Sequence, residues 1–191
     1  TAVLAAWDAY LAAEPTGRKA PPPADASEVL SGEAITVRFN LGGRWFGGGG
    51  RVLTAVDGVS INLKAGQTIG IVGESGSGKS TLARALLRLL PSTGTIRCDG
   101  TDISQFDRER MRPLRKGLQI VLQDPFGSLS PRLTVGEIVT EGLRVHEPGI
   151  SARERDRRAG EALAEVQLDP SLRNRYPHEF SGGQRQRIAI A

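Results

Sequence analysis

Between Thr68 and Leu90 the chain passes from a β-branched stretch through a glycine-rich loop into an apolar helical repeat, with Ile69-Gly-Ile-Val-Gly-Glu-Ser-Gly-Ser-Gly-Lys-Ser-Thr81 at its centre. Thr68 to Val72 has the composition of a strand buried on both faces of a parallel sheet. Leu82, Leu86, Leu89 and Leu90 recur at helical spacing, which places Lys79 and Ser80 in a helix's first turn. A buried strand, a tight loop and a helix in that order predict an α/β fold. The loop itself, from Gly73 to Ser80, fits G-x-x-x-x-G-K-[ST]. Glycines at those places let successive backbone N–H groups turn inward as an anion cradle, which Glu74, Ser75, Gly76, Ser77 and Gly78 would line. Lys79 would reach the terminal phosphates of a nucleoside triphosphate, the Ser80 hydroxyl would ligate Mg²⁺, and the helix N-terminus through Thr81 would add about half a positive charge.

The rest of the chain supplies more elements of such a fold. Ile35, Val37 and Phe39 alternate, as do Val59, Ile61 and Leu63, predicting two strands of a small antiparallel sheet. The glycine-heavy Leu41 to Arg51 between them reads as a loop tipped by Trp45 and Phe46. After the phosphate loop come a short strand at Thr95 to Cys98, a helix at Gln105 to Arg115, and a second buried-strand run, Leu118-Gln-Ile-Val-Leu122, ending at Gln123-Asp124-Pro125. Strand, helix and strand in succession predict parallel pairing with right-handed crossovers, and ligands then gather at strand C-terminal ends, beside Gly73 and Gln123. From Thr134 to Leu168 the pattern is helical, with Val135, Ile138, Val139 and Leu143 on one face and Ala159, Ala162 and Val166 on another. Ser181 stands as an N-cap before a helix running to Ala191.

Composition narrows the function classes. The net charge of +4 comes from basic residues interleaved with acids, as in Asp107-Arg-Glu-Arg-Met-Arg112, the pattern of a solvated helix face. With aromatics at 5%, there is little to stack on bases, so nucleic acid is not an expected partner. No run approaches the roughly 18 apolar residues of a membrane span. The single Cys98 excludes an internal disulfide and a multi-cysteine metal site, which suits a reducing compartment. Residues 2 to 13 carry Val3, Leu4, Trp7 and Leu11 on one helical face, and Pro15, Pro21, Pro22 and Pro23 follow in a linker-like stretch. Residues 1–33 are therefore expected to be the tail of a preceding domain plus a proline-rich linker. Without an initiator Met or a signal-peptide pattern, the chain reads as a piece of something longer.

Three motifs in one order, Gly73 to Thr81, Gln123, and Phe180-Ser-Gly-Gly-Gln184, resemble the nucleotide-binding domain of ATP-binding cassette (ABC) transporters from about Ile35 onward. They match that family's Walker A loop, Q-loop and signature, with Phe180 where Leu is commoner. The resemblance implies a P-loop NTPase fold with a RecA-like core, an N-terminal antiparallel β subdomain, and an α-helical subdomain at 126–180 within a domain spanning 34–191. It implies that Ser181, Gly182, Gly183 and Gln184 of one domain contact ATP held by the Walker A loop of another. It also implies that Gln123 touches Mg²⁺ and the attacking water, and that an aromatic after the first strand stacks on adenine. Phe39 is the first candidate for that aromatic, with Trp45 and Phe46 as alternatives, although its alternation with Ile35 and Val37 equally suits a core position.

Closer wording in Ala55-Val-Asp-Gly-Val-Ser60 and Gln123-Asp-Pro-Phe-Gly-Ser-Leu-Ser-Pro-Arg132 is similar to the dipeptide, oligopeptide and nickel importers. Glu141-Gly-Leu-Arg-Val-His146 and Arg175-Tyr-Pro-His-Glu-Phe-Ser181 are similar to the microcin C type, in which two such domains are fused in one chain. The resemblance then implies a second nucleotide-binding domain, transmembrane permease subunits and, indirectly, a solute-binding protein as partners. The expected location is peripheral, at the cytoplasmic face of the inner membrane. Substrates would be peptides or peptide-like compounds. His178 is expected to be structural, not the family's switch histidine. The Walker B strand, the water-activating glutamate and the switch histidine would follow Ala191, so this stretch is expected to hold Mg-ATP but to hydrolyse it weakly, if at all, by itself. A non-transport ABC ATPase of DNA repair or translation, and a fragment that only binds nucleotide, are the alternative readings.

Overall fold

The computed structural model describes residues 25–41, 51–122, 127 and 129–191. The expected N-terminal helix and proline-rich linker, the loop tip with Trp45 and Phe46, and Gln123 lie outside the described residues. The chain divides into two compact units at Gln105/Phe106.

The first unit is a twisted antiparallel sheet with one helix on it. Strands β1 (Glu28–Asn40) and β2 (Val52–Lys64) form a long hairpin pair, joined on β1's other edge by β3 (Thr93–Cys98) and then the short β4 (Thr101–Asp102), in the order β2-β1-β3-β4. Ile35 lies opposite Val59 and Val37 opposite Val56, with a register shift between the two pairs. The side chains of Ile35, Val37 and Val56 join Ile96 and Ile103 under helix α1 (Lys79–Leu86), which contributes Leu82, Ala85 and Leu86 to the core. The helix can approach because Gly32 offers no side chain: a Cβ there would lie 2.6 Å from Leu86 Cδ2. Cys98 is buried in this core, and burial pushes its thiol above the ordinary range.

Two expectations are corrected. Among the described residues Thr68 to Val72 and Leu118 to Leu122 belong to no ladder, and every strand pairing is antiparallel. Val72 is 93% exposed and Val121 53%. A β-branched run becomes a strand only when another backbone satisfies its N–H and C=O groups, and no described segment pairs its backbone with either run. The expected helix over Gln105 to Arg115 is also shorter. Asp107 caps α2 (Arg108–Met111) by accepting from Arg110 N at 2.8 Å, and Pro113 converts the continuation to a 3₁₀ turn, Pro113–Lys116.

The second unit contains α3 (Val135–Val139), α4 (Glu141–His146), α5 (Ala152–Glu165) and α6 (Gly182–Ile190), of which α3, α5 and α6 pack around Leu129, Val135, Leu163, Leu168, Phe180 and Ile188. The helical run expected from Thr134 breaks where its chemistry dictates. Thr134 and Glu137 form a reciprocal capping box at the start of α3. The Thr140 hydroxyl then donates back to Gly136 O at 2.7 Å, competing with the helix ladder where α3 gives way to α4. Ser151 caps α5 by accepting from Glu154 N.

On α5, the Glu154 carboxylate takes a bidentate pair of hydrogen bonds from Arg157, at 2.5 and 2.8 Å, and a third from Arg158 Nε at 3.1 Å. These bonds draw its pKa from an ordinary 4.5 to about 2. A depressed carboxylate stabilises the folded state above its unfolded value and loses that contribution as pH falls through its folded value. The helical unit is therefore expected to melt at lower temperature as pH drops from about 4.5 towards 2. Thermal melts followed by circular dichroism should show Glu154→Gln flattening that dependence.

Candidate functional site

The phosphate loop in the first unit is shaped by its backbone. Gly78 adopts φ +89°, and a Cβ at that position would lie 2.2 Å from the carbonyl oxygen of Ala55 on β2. Only glycine permits both the left-handed turn and that approach. The turn delivers Lys79, Ser80 and Thr81 into the first turn of α1, whose first intrahelical bond runs from Leu82 N to Gly78 O at 2.8 Å. The amides of Lys79 to Thr81 thus precede the ladder, and no acidic side chain stands in that turn to compete for them.

Lys79 Nζ donates to Gly73 O (2.9 Å), Glu74 O (2.5 Å) and Ser77 Oγ (3.3 Å), which curls the lysine over the loop. Those acceptors are neutral, whereas a phosphate oxygen carries charge and makes the shorter, stronger bond. An incoming triphosphate can therefore exchange places with the carbonyls at little cost. Ser80 is exposed at the same helix end. Among the described residues no cluster of three His, Cys, Asp or Glu side chains could hold a metal. A lone hydroxyl ligand fits a hard cation that keeps its waters and shares phosphate oxygens, as Mg²⁺ does.

In the second unit, Phe180 is buried in the core, which fixes the start of the next helix. Arg185 Nε donates back to Phe180 O at 3.0 Å. Ser181 and Gln184 form a capping box: Ser181 N donates to Gln184 Oε1 at 2.9 Å, and Gln184 N donates to Ser181 Oγ at 3.3 Å. Gly182 and Gly183 are exposed in the first turn, and a Cβ at Gly183 would meet nothing within 4 Å. This is a second helix start with open glycine amides.

Phe39 sits at the end of β1 opposite Leu53 and is 36% exposed, unlike Ile35 and Val37 on the same alternation. Its ring therefore has a solvent-facing part. His178 stacks on Tyr176 with ring centroids 5.8 Å apart, in the turn ahead of Ser181. The sequence reading missed Ala55, whose carbonyl braces the phosphate loop; a backbone contact from a distant strand leaves no residue-type signal.

Comparison with known proteins places these features in context. The family model described as ABC transporter matches residues 56–191. The chain is 57% identical over 183 residues to the peptidoglycan transport ATP-binding protein YejF of Agrobacterium fabrum, an alignment covering 95% of this chain and 33% of that protein. It is 54% identical over 139 residues to the oligopeptide transport ATP-binding protein AppF of Bacillus subtilis, covering 72% of this chain and 42% of AppF. The chain thus spans about a third of the first relative's length. Among solved structures, the dimeric post-hydrolysis state of the ATP-binding cassette MJ0796 bound to ADP and Pi superimposes with a TM-score of 0.73 at 31% identity, over 84% of this chain and 67% of that one. The fold is therefore that of a P-loop NTPase of the ATP-binding-cassette type.

Because a methyl at position 78 would drive into the Ala55 carbonyl from a disfavoured φ, Gly78→Ala is expected to displace the start of α1 and abolish phosphate binding. Titration with a fluorescent nucleotide should show affinity lost by at least about tenfold, the scale of one strong charged hydrogen bond, while circular dichroism retains the helices of the second unit.

Proposed function

Since the chain belongs to the ABC transporter family, we propose that it forms the ATP-holding part of a subunit that couples ATP binding and hydrolysis to import of peptides or peptide-like compounds. The observation that carries this reading is the phosphate loop, with Lys79 curled over neutral carbonyls at the open end of α1. Lys79 takes the β- and γ-phosphates, the amides of Gly76 to Thr81 cradle them, and Ser80 with Gln123 holds Mg²⁺. Gln123 also orients the attacking water, and Phe39 lies against the adenine. Mg²⁺ supplies charge neutralisation on the phosphate oxygens when bound.

The Ser181 end of α6 addresses the γ-phosphate of ATP held by a second nucleotide-binding domain. Moving a two-state closure from 1:99 to 99:1 takes about 5.5 kcal/mol of differential binding. Charge-assisted hydrogen bonds contribute about 1.5–3 kcal/mol each, so a few formed only on closure suffice. The closing motion passes through the helical residues 126–180 to permease subunits, which place the subunit on the cytoplasmic face of the inner membrane. A solute-binding protein would deliver the cargo. Relatives named for peptidoglycan and for oligopeptide transport have peptide in common, which favours a peptide-bearing substrate over a role in DNA repair or translation.

Lys79→Ala in the whole protein is expected to weaken ATP binding by about tenfold to a hundredfold, one charged contact's worth. Nucleotide titration alongside phosphate release measures this. Unchanged affinity would overturn the site, and copurification with nucleic acid instead of membrane subunits would overturn the transport role.

A further inference from the structure

Helix α6 buries little of itself: Ile188 is its buried residue, and Ala189 packs more loosely beside it. Apolar burial is non-directional and leaves a helix free to roll about its axis. One polar contact resists that roll, because Arg187 Nη1 donates to Gln167 O at 3.0 Å. The carbonyl is offered by the end of α5, which stops in a Schellman pattern with Gln167 N donating to Ala164 O and Leu168 N to Leu163 O, both at 2.9 Å. Gln167 takes the left-handed position at φ +58°, and Leu163 and Leu168 hold the ending in the core. Residues 168–181 thus form a loop whose two ends Arg187 ties together. Its middle is held separately: Arg173 pairs with both Asp156 oxygens on α5, at 2.6 and 3.2 Å, and Arg175 O accepts from Val135 N at 2.9 Å.

We propose that Arg187 is a positioning residue for the Ser181 end of α6: by holding Gln167 O it sets the roll of the helix, and with it the direction in which the Gly182 and Gly183 amides face. Arg187 lies one turn after Gly183 and Gln184, on their side of the helix. Helical side chains lean towards the N-terminus, so the guanidinium acts close to the turn that it aims. The Ser181–Gln184 box fixes the cap relative to its own helix, Phe180 fixes its depth, and the Arg187 bond fixes the remaining rotation against α5. The proposal rests on the reading above, in which this turn addresses the γ-phosphate of ATP held by a second nucleotide-binding domain.

ADP lacks the γ-phosphate and so separates the aim of α6 from binding at the phosphate loop. In the whole protein, Arg187→Met is expected to leave ADP affinity native while turnover at saturating ATP falls about three- to tenfold, the scale of one hydrogen bond. Hydrogen exchange by mass spectrometry should show the amides of residues 168–184 exchanging about two- to fivefold faster in that variant, with β1 to β3 unchanged. Arg187→Lys keeps one donor within reach of the carbonyl and should recover most of both readouts. Native exchange at 168–184 in Arg187→Met would overturn the tie. Faster exchange with native turnover, or ADP affinity falling in step with turnover, would overturn its positioning role. Absence of ATP turnover in the unsubstituted protein would instead overturn the reading of the site, with the exchange result still deciding whether Arg187 holds α6.

Discussion

The contact between Gly78 and the Ala55 carbonyl is the constraint on which the proposed nucleotide site depends. It seats the first turn of α1 against β2 where no side chain could fit, and it does so with Gly78 in the left-handed region. The features that would give the loop its proposed affinity for phosphate follow from that seat: the amides ahead of the helical ladder, the dipole behind them, and Lys79 within reach of the loop's mouth. Leu82, Ala85 and Leu86 then hold the helix on the sheet by burial, so the cradle is fixed from below by packing and from the side by backbone contact.

The two helix starts that matter are built by different devices. At α1 the cap position is a glycine with no side-chain acceptor, and the amides are left for a ligand. At α6 the cap is a serine locked to Gln184 by a reciprocal hydrogen-bonded box, behind a buried Phe180. The first suits a site that wraps its anion, and the second suits one that offers a rigid edge to an anion held elsewhere. Phe180 in place of a leucine is no loss here, because its role in this chain is to fill the core beneath the helix start.

Much of this was legible in the sequence. The two strands carrying Ile35, Val37 and Val59 followed from alternation, the start of α1 from the leucine spacing, and the Ser181 cap from a local pattern of residue types. Those features are set by neighbours within a few positions, which a sequence displays. The misreadings have the opposite character. Thr68 to Val72 and Leu118 to Leu122 carry strand-like composition, but a strand requires a partner backbone, and composition cannot supply one. The helix expected through Arg115 ignored the proline at position 113. Phe39 was left between an adenine-stacking and a core position, and its partial exposure arises because it lies near the end of the β1–β2 pairing. The brace from Ala55 to Gly78 joins residues more than twenty positions apart and leaves no periodic trace.

A structure of the whole protein with Mg²⁺ and a non-hydrolysable ATP analogue tests the central claim most directly. The account predicts that Lys79 Nζ leaves Gly73 O and Glu74 O for the β- and γ-phosphates, with the amides of Gly76 to Thr81 around them and the Ser80 hydroxyl facing the cation. A triphosphate bound away from this loop, with Lys79 still on its carbonyls, would contradict it.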